Sequence, residues 1–130
     1  MLGARASRPR RGQIYWVDFG EPRGSEQAGR RPAIVVSTDD LNAVSSTVIV
    51  AAMTTREWRP QRPEQHVYFT THVGPQAVRS TIKADQILTI TTDRLGDLIG
   101  GLPDEFREQL DSALFYVLGL DDVPDVSEVE

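Results

Sequence analysis

Ile14-Tyr15-Trp16-Val17-Asp18-Phe19, closed by Gly20, and Pro32-Ala33-Ile34-Val35-Val36 are the two stretches that decide the fold. The first is aromatic and β-branched, the composition of a half-buried strand. The second is an apolar run opened by proline and too short for a helix, which suits a buried strand. Working outward, residues 47–53, 66–69, 78–84, 87–90 and 98–99 read as further short strands with turn signals between them. No long helical pattern separates consecutive strands, so a parallel sheet is excluded and a small closed or half-open barrel is expected.

One amphipathic helix follows. Pro103 suits the first helical position, and Asp104 and Glu105 suit the partial positive charge of a helix start. Phe106, Leu110, Ala113, Leu114, Val117 and Leu118 then repeat at helical spacing and form one face. Gly119 provides the stop. Burying the larger side chains of that face is worth roughly 1.5–3 kcal/mol each, so the helix is expected to close the barrel.

At 130 residues, with 39% hydrophobic and 25% charged residues, the chain has material for one domain. It has no cysteine, which excludes disulfides, thiolate zinc sites and cysteine nucleophiles. Residues 1–10 read as a flexible basic arm, 11–119 as the folded domain and 120–130 as an acidic tail. The arm has no apolar core for a secretory signal, and no run reaches the ~20 apolar residues of a membrane span. A cytoplasmic protein with no membrane partner is expected. The formal net charge of −5 argues against a nucleic-acid partner until its distribution is read. Residues 1–83 hold 12 of the 14 basic residues and 7 of the 19 acidic ones. All basic residues except Lys83 are arginine, whose flat fork of donors matches phosphate and base edges.

The connection from Gly20 to Arg31 is long for a link between two strong strands, and such loops often carry function. Its three glycines permit close backbone approach to a ligand, and its three arginines offer phosphate contacts. Composition alone does not decide between a binding loop and a solvated one.

The residues here carry a resemblance. Arg11-Gly12-Gln13-Ile14-Tyr15-Trp16-Val17-Asp18-Phe19, followed by Gly24-Ser25-Glu26-Gln27-Ala28-Gly29-Arg30-Arg31-Pro32-Ala33-Ile34-Val35-Val36-Ser37, resembles the opening of the MazF/PemK toxins. Val50-Ala51-Ala52-Met53-Thr54, the stretch Ser80 to Ile90 with its Ala84-Asp85-Gln86 core, and the terminal helix agree with it. The likeness spans about residues 11–119. It implies a mainly β, SH3-like small barrel of the CcdB/PemK type. It also implies a homodimer, single-stranded RNA as substrate and a cognate MazE-like antitoxin as partner.

The resemblance further implies a metal-independent endoribonuclease without cofactors. The RNA 2′-OH attacks the adjacent phosphate and leaves a 2′,3′-cyclic phosphate and a 5′-OH. Arg31 and Thr54 fall on the catalytic positions. An arginine holds its proton at neutral pH, so stabilising the developing phosphorane charge suits Arg31 better than acting as a base. Ser25, Glu26, Gln27, Ser80, Asp85 and Gln86 fall on RNA-binding positions, with Glu26 an alternative proton acceptor. Arg56 and Trp58, in the connection after Thr54, pair phosphate-binding charge with a stacking surface. His66 reads as structural and Trp16 as core. Two other outcomes share the fold: a non-enzymatic gyrase poison of the CcdB type, and a catalytically silent RNA-binding relative.

Overall fold

The computed structural model describes residues 8–20, 29–55, 63–73 and 75–120. Six strands, β1 (Gln13–Asp18), β2 (Arg30–Val35), β3 (Thr47–Thr54), β4 (His66–Val73), β5 (Gln76–Thr91) and β6 (Leu95–Gly101), form one antiparallel sheet. Its order is β4-β5-β3-β2-β1-β6, and the two outer strands approach each other, so the sheet curls into a half-barrel. Among the described residues two α-helices accompany it, α1 (Asp39–Val44) and α2 (Arg107–Leu118). No helix among the described residues is long and apolar enough to cross a membrane.

Strand alternation sorts the core into two layers. Ile14, Ile34, Ala51, Met53, Val67, Phe69, Ile82 and Ala84 point to the side covered by Leu110 and Ala113 of α2. Tyr15, Val17, Ala33, Val35, Val50 and Ala52 point to the other side, where Ile90 and Leu95 join them. In β1, β2 and β3 odd and even positions change sides without exception, as a pleated strand requires.

β5 breaks the rule. It pairs Thr81, Ile82 and Lys83 with Thr54, Met53 and Ala52, and then Ile87 with Ala51. The register jumps by three residues, and Ala84, Asp85 and Gln86 form a bulge. An odd insertion reverses the alternation, so Ala84 joins the α2-side core and Ile90 the opposite one. The two strands expected at 78–84 and 87–90 are therefore one bent strand.

Other expectations shift in detail. Pro103 caps a short 3-10 turn (Asp104–Phe106) that leads into α2, so it stands before the helix. Leu110 and Ala113 are buried and Leu114 and Val117 partly so, but Leu118 is 57% exposed because α2 outruns the sheet beneath it. Gly119 ends the helix in the left-handed conformation at φ 71°, its N–H bonded to the Phe115 and Tyr116 carbonyls. Helix α1 was not foreseen. It is capped by Thr38, and the buried Asn42 fixes it by donating to the Ser37 carbonyl at 3.0 Å.

Within the stretch expected to be a flexible arm, residues 8–10 are attached to the folded body. Pro9 is buried, and Arg8 donates to the Asn42 and Ser45 carbonyls at the end of α1. Arg11 continues the attachment with bonds to the Val36 carbonyl and Asp111, both at 2.9 Å. Residues 1–7 and the acidic tail from 121 on lie outside the described residues.

Candidate active site

The loop between β1 and β2 is closed at its neck by backbone alone. Phe19 N–H donates to the Gly29 carbonyl at 2.9 Å, and Gly29 N–H to the Gly20 carbonyl at 2.8 Å. Gly20 and Gly29 adopt φ of 77° and 72°, a region that a side chain would strain. Asp18 accepts the Gly20 N–H at 2.9 Å. Residues 21–28, with Ser25, Glu26 and Gln27, lie outside the described residues, as do Arg56 and Trp58.

Arg30 and Arg31 follow this neck and part at once. Arg30 stands opposite Asp18, with its guanidinium 5.3 Å from the centre of the Trp16 ring, a cation–π contact. Trp16 is thus half-buried beneath an arginine and not fully inside. A cleft of about 390 Å³ opens beside them, lined also by Asp93 and Arg94. Arg31, one residue on, belongs to the opposite face of the sheet.

Thr54 belongs to that face as well. β2 and β3 pair Ala33 with Ala52, Ile34 with Ala51 and Val35 with Val50. Arg31 and Thr54 lie two residues beyond the Ala33–Ala52 pair, on the parity of Ala33 and Ala52, and so share their face. Val17 pairs with Arg31, Thr54 with Thr81, and Thr81 with Tyr68. Val17 and Arg31 thus form one short row and Thr54, Thr81 and Tyr68 another, on the same face of the sheet. A longer row, two residues along, is Tyr15, Ala33, Ala52, Lys83 and His66. Paired residues share a face, so Arg31, Thr54, Thr81, Tyr68, Lys83 and His66 all belong to one side. Thr54 is 7% exposed and Arg31 half-buried, so the face sinks toward Thr54.

The structure treats the remaining expected residues differently. Asp85 and Gln86 are on the β5 bulge, with Asp85 exposed at the surface beside His66. Ser80 is not on the Arg31–Thr54 face. It pairs with Phe69 of the α2-side core and is buried. Its hydroxyl accepts from Thr71 at 2.6 Å and donates to the Val78 carbonyl at 3.2 Å. Its neighbour Thr81 occupies the facing position instead. Thr81, Tyr68 and Lys83 were missed in the sequence. The available signal was the β4 alternation, in which His66 and Tyr68 flank the apolar Val67 and precede Phe69.

With the fold and these residues in place, comparison gives the class, a toxin of the type II toxin–antitoxin systems. The model of the PemK-like, MazF-like toxins of these systems matches residues 10–118, and the chain belongs to that family. It is 39% identical over 119 residues to Endoribonuclease EndoA of Bacillus subtilis (strain 168), covering 87% of this chain and 97% of that one. Among solved structures it resembles an endoribonuclease in complex with its cognate antitoxin from a mycobacterial species, at 29% identity and a TM-score of 0.68. That match covers 86% of this chain and 96% of the other. MazF from Deinococcus radiodurans superposes with a TM-score of 0.70 at 25% identity, covering 87% of this chain and 98% of that one.

Proposed function

We propose that this toxin cuts single-stranded RNA on the face that carries Arg31 and Thr54. The activity is that of an endoribonuclease, the class of its relative at 39% identity. The single observation that carries the location is that Arg31 and Thr54 lie two residues beyond the Ala33–Ala52 pair, on the same face of neighbouring strands. An arginine side chain and a threonine hydroxyl on adjacent strands, about 5 Å apart at the backbone, are close enough to grip one phosphate together.

The chemistry follows from RNA itself. The 2′-OH gives up its proton and attacks the neighbouring phosphorus, the P–O5′ bond breaks, and the leaving 5′ oxygen takes a proton, for which Arg31 is the donor at hand. The products are a 2′,3′-cyclic phosphate and a 5′-OH. Arg31 donates N–H bonds to the non-bridging oxygens as negative charge grows on the phosphorane, which is where a fixed donor lowers the barrier most. Thr54 donates its hydroxyl to the same phosphate and fixes its orientation. Glu26 is the carboxylate to accept the 2′-OH proton. Ser25 and Gln27 hold the loop and the RNA, while Arg56 and Trp58 bind phosphate and stack on a base. Asp85 and Gln86 read base edges from the bulge.

The protein works in the cytoplasm as a homodimer, is silenced by a cognate antitoxin and needs no metal. The antitoxin partner is supported by the solved relative that is held by one. The test is cleavage of RNA by purified protein in excess EDTA with mapping of 5′-OH ends. Cleavage that survives EDTA and disappears in Arg31→Ala supports the reading. A strict requirement for added metal would overturn the mechanism.

A further inference from the structure

Beside the row of Thr54 lies a hydrogen-bonded group that the cleavage step does not use. His66 opens β4 with a side chain only 7% exposed. Its Nδ1 is 3.1 Å from the Tyr68 hydroxyl, and its Nε2 is 3.5 Å from Asp85 Oδ1. The two rings meet edge to face, 83° apart. A polar ring at this depth costs free energy unless both nitrogens are satisfied. An aliphatic residue would close the barrel edge without that cost. The arrangement therefore holds its two neighbours, Tyr68 on the row of Thr54 and Asp85 on the bulge.

Donor and acceptor rules fix what the group presents. An ionised carboxylate only accepts, so Nε2 turns its hydrogen toward Asp85. In the neutral ring Nδ1 then carries the lone pair, and the Tyr68 hydroxyl donates to it. The phenolic oxygen of Tyr68 and the remaining lone pairs of Asp85 are therefore acceptors. Lys83, which pairs with His66 in β5, adds the positive charge for a phosphate, and Glu64 stands in the 3-10 turn (Pro63–Gln65) just before β4. Tyr68 is two strands from Thr54, about 10 Å at the backbone, the reach of the nucleotide next to the cut.

We propose that Tyr68 and Asp85, held in place by His66, form a base-selecting subsite that takes the N–H-rich Watson–Crick edge of guanine in a nucleotide adjacent to the cleaved bond. Guanine alone among the four bases offers two neighbouring donors there, N1–H and the N2 amino group. Tyr68 and Asp85 touch the base. His66 is a positioning residue that acts through them. The proposal rests on RNA lying across the Arg31–Thr54 face.

The experiment cleaves sequence-randomised RNA with the wild type, Asp85→Asn, Tyr68→Phe, His66→Gln and His66→Leu, and maps the 5′-OH ends. A defined RNA carrying guanosine or inosine at the selected position, inosine lacking the N2 amino group, is then cut by each. The wild type is expected to select guanine at one position flanking the cut. Inosine is expected to raise KM about tenfold with a much smaller effect on kcat, the size of one base-edge contact. Asp85→Asn and His66→Leu relax the preference about tenfold, and His66→Gln, which keeps a donor toward Asp85, relaxes it less. The losses from inosine and His66→Leu are not additive, since both remove the same contact.

Preference profiles in the variants that match the wild type would overturn the proposal. So would a wild type that selects another base at both flanking positions, or a uniform fall in kcat across all sequences. Tyr68→Phe removes one hydroxyl and keeps the ring, so it provides a folded test if a His66 variant does not fold. Absence of Arg31-dependent cleavage in the wild type overturns the underlying reading as well. Wild-type cleavage with unaltered variant preferences overturns the subsite alone.

Discussion

β2 and β5 are both inner strands of the same sheet, and they prepare their functional residues in opposite ways. β2 is regular. Its plain alternation sends Arg30 to Trp16 on one face and Arg31 to the face of Thr54 on the other. β5 is irregular. Its three-residue bulge places Asp85 beside His66 and brings the strand back to β3 with its faces exchanged. A regular strand sets a side chain by parity, at no cost to the ladder. A bulge gives up ladder hydrogen bonds to aim side chains where parity would not send them. The chemistry of cutting is assigned to the first device and the selection of sequence to the second.

The largest test strikes the regular strand. Arg31→Ala is expected to lower kcat by about 100-fold or more, the scale for removing one donor to a developing oxyanion, with the fold retained. A fluorogenic RNA assay and a thermal melt check both halves. Thr54→Val, which keeps the shape and removes the hydroxyl, should follow with a smaller loss. Next comes removal of Ala84, Asp85 and Gln86 together. That deletion joins Lys83 to Ile87 and makes the β3–β5 ladder continuous with every side chain on its present face. A folded β protein with RNA affinity reduced about tenfold or more is expected, measured by circular dichroism and filter binding. Full RNA affinity in the deletion would erase the contrast between the two strands.

The common support of both strands gives a third test. Leu110 of α2 is buried against Ile34 and Ile82 in one core. Leu110→Ala is expected to cost about 2–5 kcal/mol of stability by denaturant titration. The smallest effect belongs to Arg30→Ala. Losing the contact with Trp16 should cost about 0.5–1 kcal/mol, with cleavage changed far less than in Arg31→Ala. Equal losses from the two arginines would show that strand parity does not divide their work.

What could be read in the sequence divides along the same line. The strands around Ile14–Phe19 and Pro32–Val36, the terminal helix and its Gly119 stop follow from periodicity and capping, which are local. The choice of Arg31 over Arg30 came from resemblance, though alternation against the buried Ile34 would have separated them once the strand was granted. The bulge was not legible. Residues 78–84 and 87–90 look like two short strands, because a register jump is a property of two chains side by side, and the partner β3 is distant in sequence. His66 reads as a structural residue for the same reason, since neither Asp85 nor the Tyr68 hydroxyl announces its neighbour locally. Helix α1 has only six residues and too little periodicity to show itself. The docking of Arg8 rests on carbonyls at the far end of that helix.

The clasp formed by Gly20 and Gly29 has a further consequence. Because the neck is joined backbone to backbone, the pairing of β1 with β2 does not call on the side chains between the two glycines. Those side chains can be exchanged without telling β1 or β2 to slip. A new loop that keeps the proposed proton acceptor Glu26 can therefore differ elsewhere while Arg31 and Thr54 stay where the strands hold them, so variation in the loop need not be weighed against the pairing of β1 with β2.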